Sequence, residues 1–281
     1  MMWTSPMFPA LLALLIACQG APPAVVDAPK PTPPAPTPPP TASPAPTDEA
    51  DALLSRMEAQ GKSMKDFTAS ATVEKFEALT EEKEIRRGRI VVEGAVGPTR
   101  KVAIIVDEFI DATGRGSTDG RRYLFAGGWF DEFDALRKQC IRRQVARAGE
   151  SVDPLRVGEG PFPVPLGQPK ADVLREFTVT AGTLPSAPFF KSLLPRAEGL
   201  VALRLVPRAG TAMARDTAAL TVVVDRVTLA PEAIEVEQVN GDATRALFRH
   251  GKLDAGLDAA ARDLLTPPAM DGWKIDTRPL A

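Results

Sequence analysis

Hydrophobic and polar side chains alternate along most of the chain after residue 65. Short runs rich in Val, Ile, Leu and Phe are divided by Gly, Pro, Asn and Asp, which favour turns. This pattern predicts β-strands at 66–79, 88–93, 101–106, 122–125, 140–145, 177–180, 200–206, 220–229 and 233–239. Because many of the connections are short, we expect neighbouring strands to run antiparallel.

Two dipeptides that tolerate a positive φ mark predicted hairpin turns. Asn240-Gly241 lies between two apolar runs, and Asp119-Gly120 comes directly before the run 121–125. A tight turn at each position would bring the flanking runs together as neighbouring strands.

Helical spacing is confined to a few short stretches. Leu53, Leu54 and Met57 share one helical face ahead of Gly61, and acidic residues occupy the first turn of this segment. A short helix is predicted at 170–177 and another over 254–265, with an apolar stripe formed by Leu257, Ala261, Leu264 and Leu265. The fold class that follows is mainly β with a few helices (α+β).

The first 18 residues carry no charged side chain, and their apolar run over 10–17 is shorter than the roughly 20 residues that span a bilayer. The run predicts a signal peptide. It ends in Leu-Ile-Ala-Cys, which resembles the bacterial lipobox and makes Cys18 the predicted lipidation site. A secretory signal cleaved elsewhere, with Cys18 incidental, is the alternative. Gln19 resembles a signal for the outer membrane, which predicts a lipid-anchored protein of the bacterial cell envelope, facing the periplasm.

Residues 19–48 form a proline-rich segment, because 12 of the 28 prolines fall between Pro22 and Pro46. Proline fixes φ and removes an amide donor, so we expect an extended spacer of on the order of 3 Å per residue. A disordered leader is the other interpretation. Both interpretations place the folded domain at 49–281.

The composition narrows the possible chemistry. The chain has 34 Lys and Arg against 36 Asp and Glu, so a general nucleic-acid partner is not predicted. One histidine and two cysteines exclude metal sites with two imidazoles, zinc ribbons and iron–sulfur clusters. We therefore predict no metal or redox cofactor. The glycine pairs at 114–116 and 158–160 lack the third glycine of a dinucleotide site, and no phosphate loop is present, so no nucleotide cofactor is predicted either. No residue is assigned a catalytic role.

A few polar residues leave alternatives open. Cys140 is predicted to be a buried inert thiol, with intermolecular pairing or a nucleophilic role as the alternatives. His250 is predicted to lie at the surface rather than to act as a general base. Acidic clusters at 81–82, 107–108 and 131–134 would permit a two-carboxylate hydrolase, but solvated charge is the favoured interpretation.

Arginine pairs at 86–87, 121–122 and 142–143 lie in predicted strands or next to them. Such pairs suit lipid phosphates, or they discourage pairing at the edge of a sheet. Edge protection is the interpretation that the sequence favours.

Several features follow one another in a defined order. They are an N-terminal helix, a long antiparallel meander, Ser117-Thr-Asp-Gly-Arg-Arg-Tyr-Leu-Phe, then Leu203-Arg-Leu-Val-Pro, and finally Pro268-Ala-Met-Asp-Gly-Trp-Lys-Ile. This order resembles that of the LolA/LolB-type lipoprotein carriers over nearly all of residues 49–281. The resemblance implies a curved, incompletely closed antiparallel β-barrel, with helices plugging the concave side around an apolar cavity for acyl chains.

Alternating residues of the predicted strands are the candidates to line that cavity. A curved sheet that is apolar on its inner face but not closed leaves hydrophobic volume that acyl chains can occupy. The candidates are Ile90, Val92, Val102, Ile104, Val106, Tyr123, Phe125, Val222 and Val224. Plain core packing beneath the helices is the alternative for each of them.

The resemblance also implies a function. A lipidated protein of this kind binds the acyl chains of lipoproteins and takes part in outer-membrane lipoprotein sorting or transfer. Its expected partners are lipoprotein acyl chains or other lipids, the membrane through its N-terminal anchor, and donor or acceptor sorting proteins. The alternative is a periplasmic sensor or partner-binding module that uses the same fold without transfer activity.

One element of the resemblance is missing. The soluble carriers of that family resemble one another in an arginine, just after the second or third strand, that latches the lid over the cavity. The corresponding stretch here, 92–98, contains no arginine. The family's release mechanism is therefore not carried over.

Overall fold

The structure, a computed structural model, describes residues 48–97, 99–147, 150, 153–155 and 167–280. The predicted signal peptide, the lipidation site Cys18 and the proline-rich segment up to residue 47 lie outside the described residues.

Strands dominate the described part of the chain. The helices are α1 (Asp48–Ser63), α2 (Lys170–Glu176) and α3 (Ala259–Asp263), with 3₁₀ segments at Pro188–Gly199 and Met213–Arg215. The strands are β1 (Asp66–Glu77), β2 (Glu82–Glu93), β3 (Lys101–Ile110), β4 (Gly116–Ala126), β5 (Trp129–Asp134), β6 (Gln139–Gln144), β7 (Phe177–Gly182), β8 (Leu200–Pro207), β9 (Thr217–Asp225), β10 (Pro231–Gln238), β11 (Ala243–Leu253) and β12 (Lys274–Arg278).

The twelve strands form one sheet in the order β12-β6-β5-β4-β3-β2-β1-β11-β10-β9-β8-β7. Neighbouring strands are antiparallel except β12 and β6, which run parallel. Within the described part of the chain, β12 and β7 are the two edges and do not pair with each other. The predicted fold class, a mainly antiparallel and incompletely closed sheet, is confirmed.

The sheet curves around α1. A flat sheet of this width would place its outer strands roughly 50 Å apart, because neighbouring strands are about 4.8 Å apart. Nevertheless, α1 contacts β7 at one edge of the sheet, and the carbonyl of its Gly61 accepts a hydrogen bond from the amide of Val96 in the loop between β2 and β3. One helix reaches both halves only if the sheet wraps around it, so we call the face against α1 the concave face.

Two separate segments cover the convex face. Residues 257–273 and α3 pack on the half formed by β2 to β6, and Pro188–Gly199 packs on β8 to β11. Arg122 of β4 holds the first cover, because its guanidinium donates hydrogen bonds to the carbonyls of Asp263, Leu264 and Thr266. Both faces of the sheet are therefore buried over much of their area.

Between the two covers, the convex face is polar. Arg245 of β11 donates to Glu74 of β1 and to Glu235 of β10, both at 2.8 Å, and all three side chains are largely buried. The three residues lie opposite one another in register across the three strands. This row of charges divides the apolar patches under the two covers.

Some predicted elements differ from the structure. The turn at Asn240-Gly241 is confirmed, with Gly241 at a φ of 89°. The turn at Asp119-Gly120 is wrong, because both residues lie inside β4, next to an irregularity in its pairing with β3. The helix over 254–265 is also shorter than predicted, and only α3 is helical.

Candidate functional site

The nine residues predicted to line a cavity come together on the concave face. Eight of them are buried in the cluster that contains α1, and Ile104 is partly buried against it. They lie on β2, β3, β4 and β9, and register places the β2, β3 and β4 members side by side, as in Ile90–Ile104–Tyr123. The alternation of the strands therefore directs all nine toward the same volume.

Among the described residues, side chains of α1 and α2 occupy this volume. Leu53, Leu54 and Met57 of α1 and Val173 of α2 pack directly into the cluster. One cavity on this face among the described residues is about 10 Å³ and is lined by Leu54, Met57, Gln168, Val173, Leu203, Leu205 and Val222. A space of this size holds about one water molecule. The conformation is a closed one, and contact of these residues with an acyl chain stays a prediction.

A buried ion pair joins the loop between β2 and β3 to residues 153–155. The Arg100 side chain is fully buried, and its Nη1 atom lies 3.1 Å and 3.2 Å from the two carboxylate oxygens of Asp153. The carboxylate also accepts hydrogen bonds from the amides of Gly97 at 3.2 Å and Leu155 at 3.0 Å. Sequence reasoning missed Arg100, which follows the stretch 92–98 by two positions.

Close backbone contact joins α1 to the segment that leads into α2. A Cβ atom on Gly61 would lie 2.3 Å from both the Cα and the carbonyl oxygen of Gly167, so only glycine fits. Lys170 reinforces the contact, because its Nζ lies 2.6 Å from Asp51 and its amide donates to Glu58. These contacts hold α1 and α2 together over the concave face.

Tyr123 is a polar residue within the apolar cluster. Its ring stacks on Phe130 with the centroids 6.0 Å apart, and its hydroxyl makes no well-formed hydrogen bond. Burial, with a smaller contribution from Glu132, raises the pKa of the Tyr123 hydroxyl, and the nearby Arg121 offsets part of the rise. The concave face thus becomes polar next to Tyr123, at Arg121 of β4 and Glu132 of β5.

The three arginine pairs lie on interior strands, so their predicted role at the sheet edge is wrong. They belong to β2, β4 and β6, and each of these strands has a neighbour on both sides. The two members of each pair point to opposite faces because side chains alternate along a strand. One arginine of each pair therefore lies on the concave face.

The other polar candidates are placed as follows. Cys140 is buried under the convex cover, and burial is the main reason that the pKa of its thiol is raised to about 11, so it is a buried thiol as predicted. His250 is exposed on β11. Asp131 points to the convex face beside Arg142 at 3.3 Å, which separates it from Glu132 on the concave face.

Two further observations bear on the chemistry. Among the described residues, no three His, Cys, Asp or Glu side chains lie close enough together to hold a metal ion. The helices in the described ranges are also too short or too polar for any of them to cross a bilayer.

Comparison with known proteins extends this description. No family model and no curated protein sequence matches the chain. Among solved structures, a putative outer-membrane lipoprotein-sorting protein domain from Vibrio parahaemolyticus is 12% identical, with 78% of this chain and 98% of that chain covered and a TM-score of 0.37. A LolA-superfamily protein from Nitrosomonas europaea is 12% identical, with 78% and 97% covered and a TM-score of 0.33.

MucB of Pseudomonas aeruginosa, solved as a complex with MucA, is 12% identical to this chain with a TM-score of 0.42. The alignment covers 79% of this chain but only 62% of the matched one.

Proposed function

We propose that this protein binds the acyl chains of a lipid or lipoprotein between α1, α2 and the concave face of its sheet. The observation that supports the proposal is the extent of the apolar concave face, which continues across β1 to β5 and β7 to β11. Two short helices are the regular elements in the described residues that cover this face.

Binding requires α1 and α2 to move, because their side chains pack into the apolar cluster and the cavity beside them among the described residues is about 10 Å³. Each buried methylene contributes about 0.8 kcal/mol, so a long acyl chain would compensate for withdrawing Leu54, Met57 and Val173 from the apolar face. The Arg100–Asp153 pair and the Gly61–Gly167 contact hold the closed arrangement and would have to loosen. In the proposed cycle, the same apolar face is therefore covered by the helices when no ligand is bound and by an acyl chain when a ligand is bound.

We propose further that the protein acts in the bacterial cell envelope, anchored through an acylated Cys18, and takes part in sorting or transfer of lipoproteins. The lipobox at Cys18 and the proline-rich spacer support this location. A tethered domain of this kind would collect acyl chains near the membrane and pass them to a partner protein or to the membrane itself.

The decisive experiment measures whether the purified protein carries bound lipid. The full chain with Cys18→Ser is secreted into a bacterial periplasm, purified without detergent and analysed by native mass spectrometry with lipid extraction. We expect a bound acylated species that a radiolabelled lipopeptide displaces. Empty protein that takes up no lipopeptide would contradict the proposal and favour a module that binds a protein partner.

A matched pair of variants locates the binding surface. Val222→Phe fills space on the concave face, whereas Val227→Phe changes a side chain that is 82% exposed in the turn between β9 and β10. We expect Val222→Phe to reduce lipopeptide uptake several-fold while Val227→Phe leaves it unchanged. Both variants are compared with the parent by thermal unfolding, so that a loss of binding is not mistaken for a loss of folding.

A further inference from the structure

Along β2, the concave face changes from apolar to polar toward the N-terminal end of the strand. On β2, Val92 and Ile90 belong to the apolar cluster, and Arg86 follows them on the same face, two residues beyond Gly88. Register places Arg86 directly between Val73 of β1 and Phe109 of β3. The apolar face therefore ends at a buried arginine.

Arg86 is only 5% exposed, yet its guanidinium is poorly compensated. It stacks on the ring of Phe109 at 4.9 Å, and its Nη2 atom lies 3.5 Å from Glu84, at the outer limit of a hydrogen bond. The Nε–H group has no hydrogen-bond partner among the residues that the structure describes. A buried guanidinium with an unused N–H is costly to leave in this state.

The neighbouring groups do not supply the missing acceptor. Lys75, in register beside Glu84, is a cation that pairs with Glu77 at 2.7 Å. Thr244, in register on the other side of Lys75, has a buried hydroxyl that makes no hydrogen bond to any described residue. A guanidinium stacked on an aromatic ring keeps its N–H groups free in its own plane, which suits the oxygens of a phosphate or carboxylate.

We infer that Arg86 receives the anionic head group of an amphiphile whose acyl chain lies along the apolar concave face. This inference rests on the proposed function and specifies its ligand class. Arg86 and Val92 are separated by roughly 20 Å along β2, at about 3.3 Å per residue, which is comparable with an extended long acyl chain. Phosphate offers several acceptor oxygens for the Nε–H group of Arg86.

The test uses two lipids that share a chain and a glycerol and differ in one phosphate. Oleoyl lysophosphatidic acid and monooleoylglycerol each displace the uncharged probe N-phenyl-1-naphthylamine from the full chain carrying Cys18→Ser. We expect the phosphate-bearing lipid to bind about tenfold or more tightly, as for a hydrogen-bonded charge pair. Arg86→Gln should bring the two affinities within about twofold, and Arg86→Lys should retain part of the preference.

The matched control is Arg89→Gln, which removes an exposed arginine from the opposite face of β2 and should leave the preference unchanged. Equal affinities of the parent for the two lipids, or an unchanged preference in Arg86→Gln, would overturn the inference while leaving acyl-chain binding intact. Binding of neither lipid would overturn both proposals. Inorganic phosphate alone should compete far more weakly than the lysophosphatidic acid. Equal competition would also overturn the inference, because Arg86 would then bind an anion without an acyl chain.

Discussion

The ion pair between Arg100 and Asp153 is the most deeply buried charge contact described in the molecule. The two residues are 53 positions apart, and the loop between β2 and β3 meets residues 153–155 through them. Burial lowers the pKa of the Arg100 guanidinium, and Asp153 offsets this by favouring the charged form. The stability of this region therefore depends on both partners being present.

Asp153→Asn should be strongly destabilising, because it leaves the Arg100 charge buried without its counter-ion. Breaking a buried pair in this way costs about 3–5 kcal/mol. The measurement is the free energy of unfolding in urea. Glu108→Gln is the control, since it breaks the exposed pair with Arg87 and should cost less than about 1 kcal/mol. Similar losses in the two variants would contradict the assigned role of Arg100.

Because the thiol of Cys140 is buried, we expect the free energy of unfolding to depend on pH in the alkaline range. Burial, followed by the effect of Asp131, raises the pKa of its thiol from 9.0 to about 11. The unfolded thiol ionises first, so its contribution to stability is complete below pH 9 and is lost as the pH rises toward 11.

The corresponding measurement compares the parent with Cys140→Ala between pH 8 and pH 11. The parent should lose more unfolding free energy over this range than the variant does. Ellman's reagent should also label the native thiol at pH 8 only after urea is added. Rapid labelling of the native protein would contradict the burial of Cys140.

At the scale of elements, the position of α1 depends on its contact with the segment that precedes α2. Gly61 lies within α1, where alanine normally stabilises a helix by roughly 0.5–1 kcal/mol. The approach of Gly167 reverses that expectation, because no Cβ fits between the two backbones.

Gly61→Ala should therefore destabilise the protein by about 1–3 kcal/mol, the usual cost of overpacking. It should also increase lipid uptake, since α1 would cover the concave face less tightly. Gly199→Ala is the control, because a Cβ at this position meets no atom within 4 Å. Thermal unfolding and probe binding are measured together. A stabilised Gly61→Ala variant would show that the helix and this segment do not pack as described.

The elements differ in how far the sequence alone predicts them. Strands such as β3 and β9 were predictable because their apolar residues lie next to one another in the chain. β5 and β12 were not, because Asp131 and Glu132 interrupt the apolar pattern of β5 and every residue of β12 is exposed. Their positions depend on partners in β6, and Asp131 and Glu132 lie beside Arg142 and Arg143.

The residues of the candidate site also differ in how far the sequence alone predicts them. The nine concave residues were predictable because period-two alternation assigns a face to each strand residue. Arg100 and Gly61 were not, because their partners, Asp153 and Gly167, are distant in the chain. Arg86 was noticed only as part of an arginine pair, and its face became clear from the register of β2.

At the scale of the whole molecule, the sheet depends on covers on both faces. Leu265 belongs to the cover on β2 to β6 and is 3% exposed, whereas Leu79, in the turn between β1 and β2, is 96% exposed. Trp273 contributes to the same cover by packing edge-on against Phe133. Loss of this cover would expose apolar side chains of five strands.

Leu265→Ala should cost about 2–4 kcal/mol and increase the binding of a dye for apolar surfaces, because it leaves a gap over the convex face. Leu79→Ala makes the same substitution at the surface and should change stability by less than about 0.5 kcal/mol. Urea unfolding and dye fluorescence provide the two measurements. Equal effects of the two substitutions would contradict the assignment of residues 257–273 as a structural cover.

The late position of this cover in the chain has a consequence for the order of folding. Strands β2 to β6 are complete by residue 144, but the residues that cover their convex face, and β12 beside β6, come from 257–278. During synthesis, this half of the sheet therefore stays uncovered until more than a hundred further residues have been made. We expect the nascent chain to depend on a chaperone over this interval, since exposed strands of this kind aggregate readily.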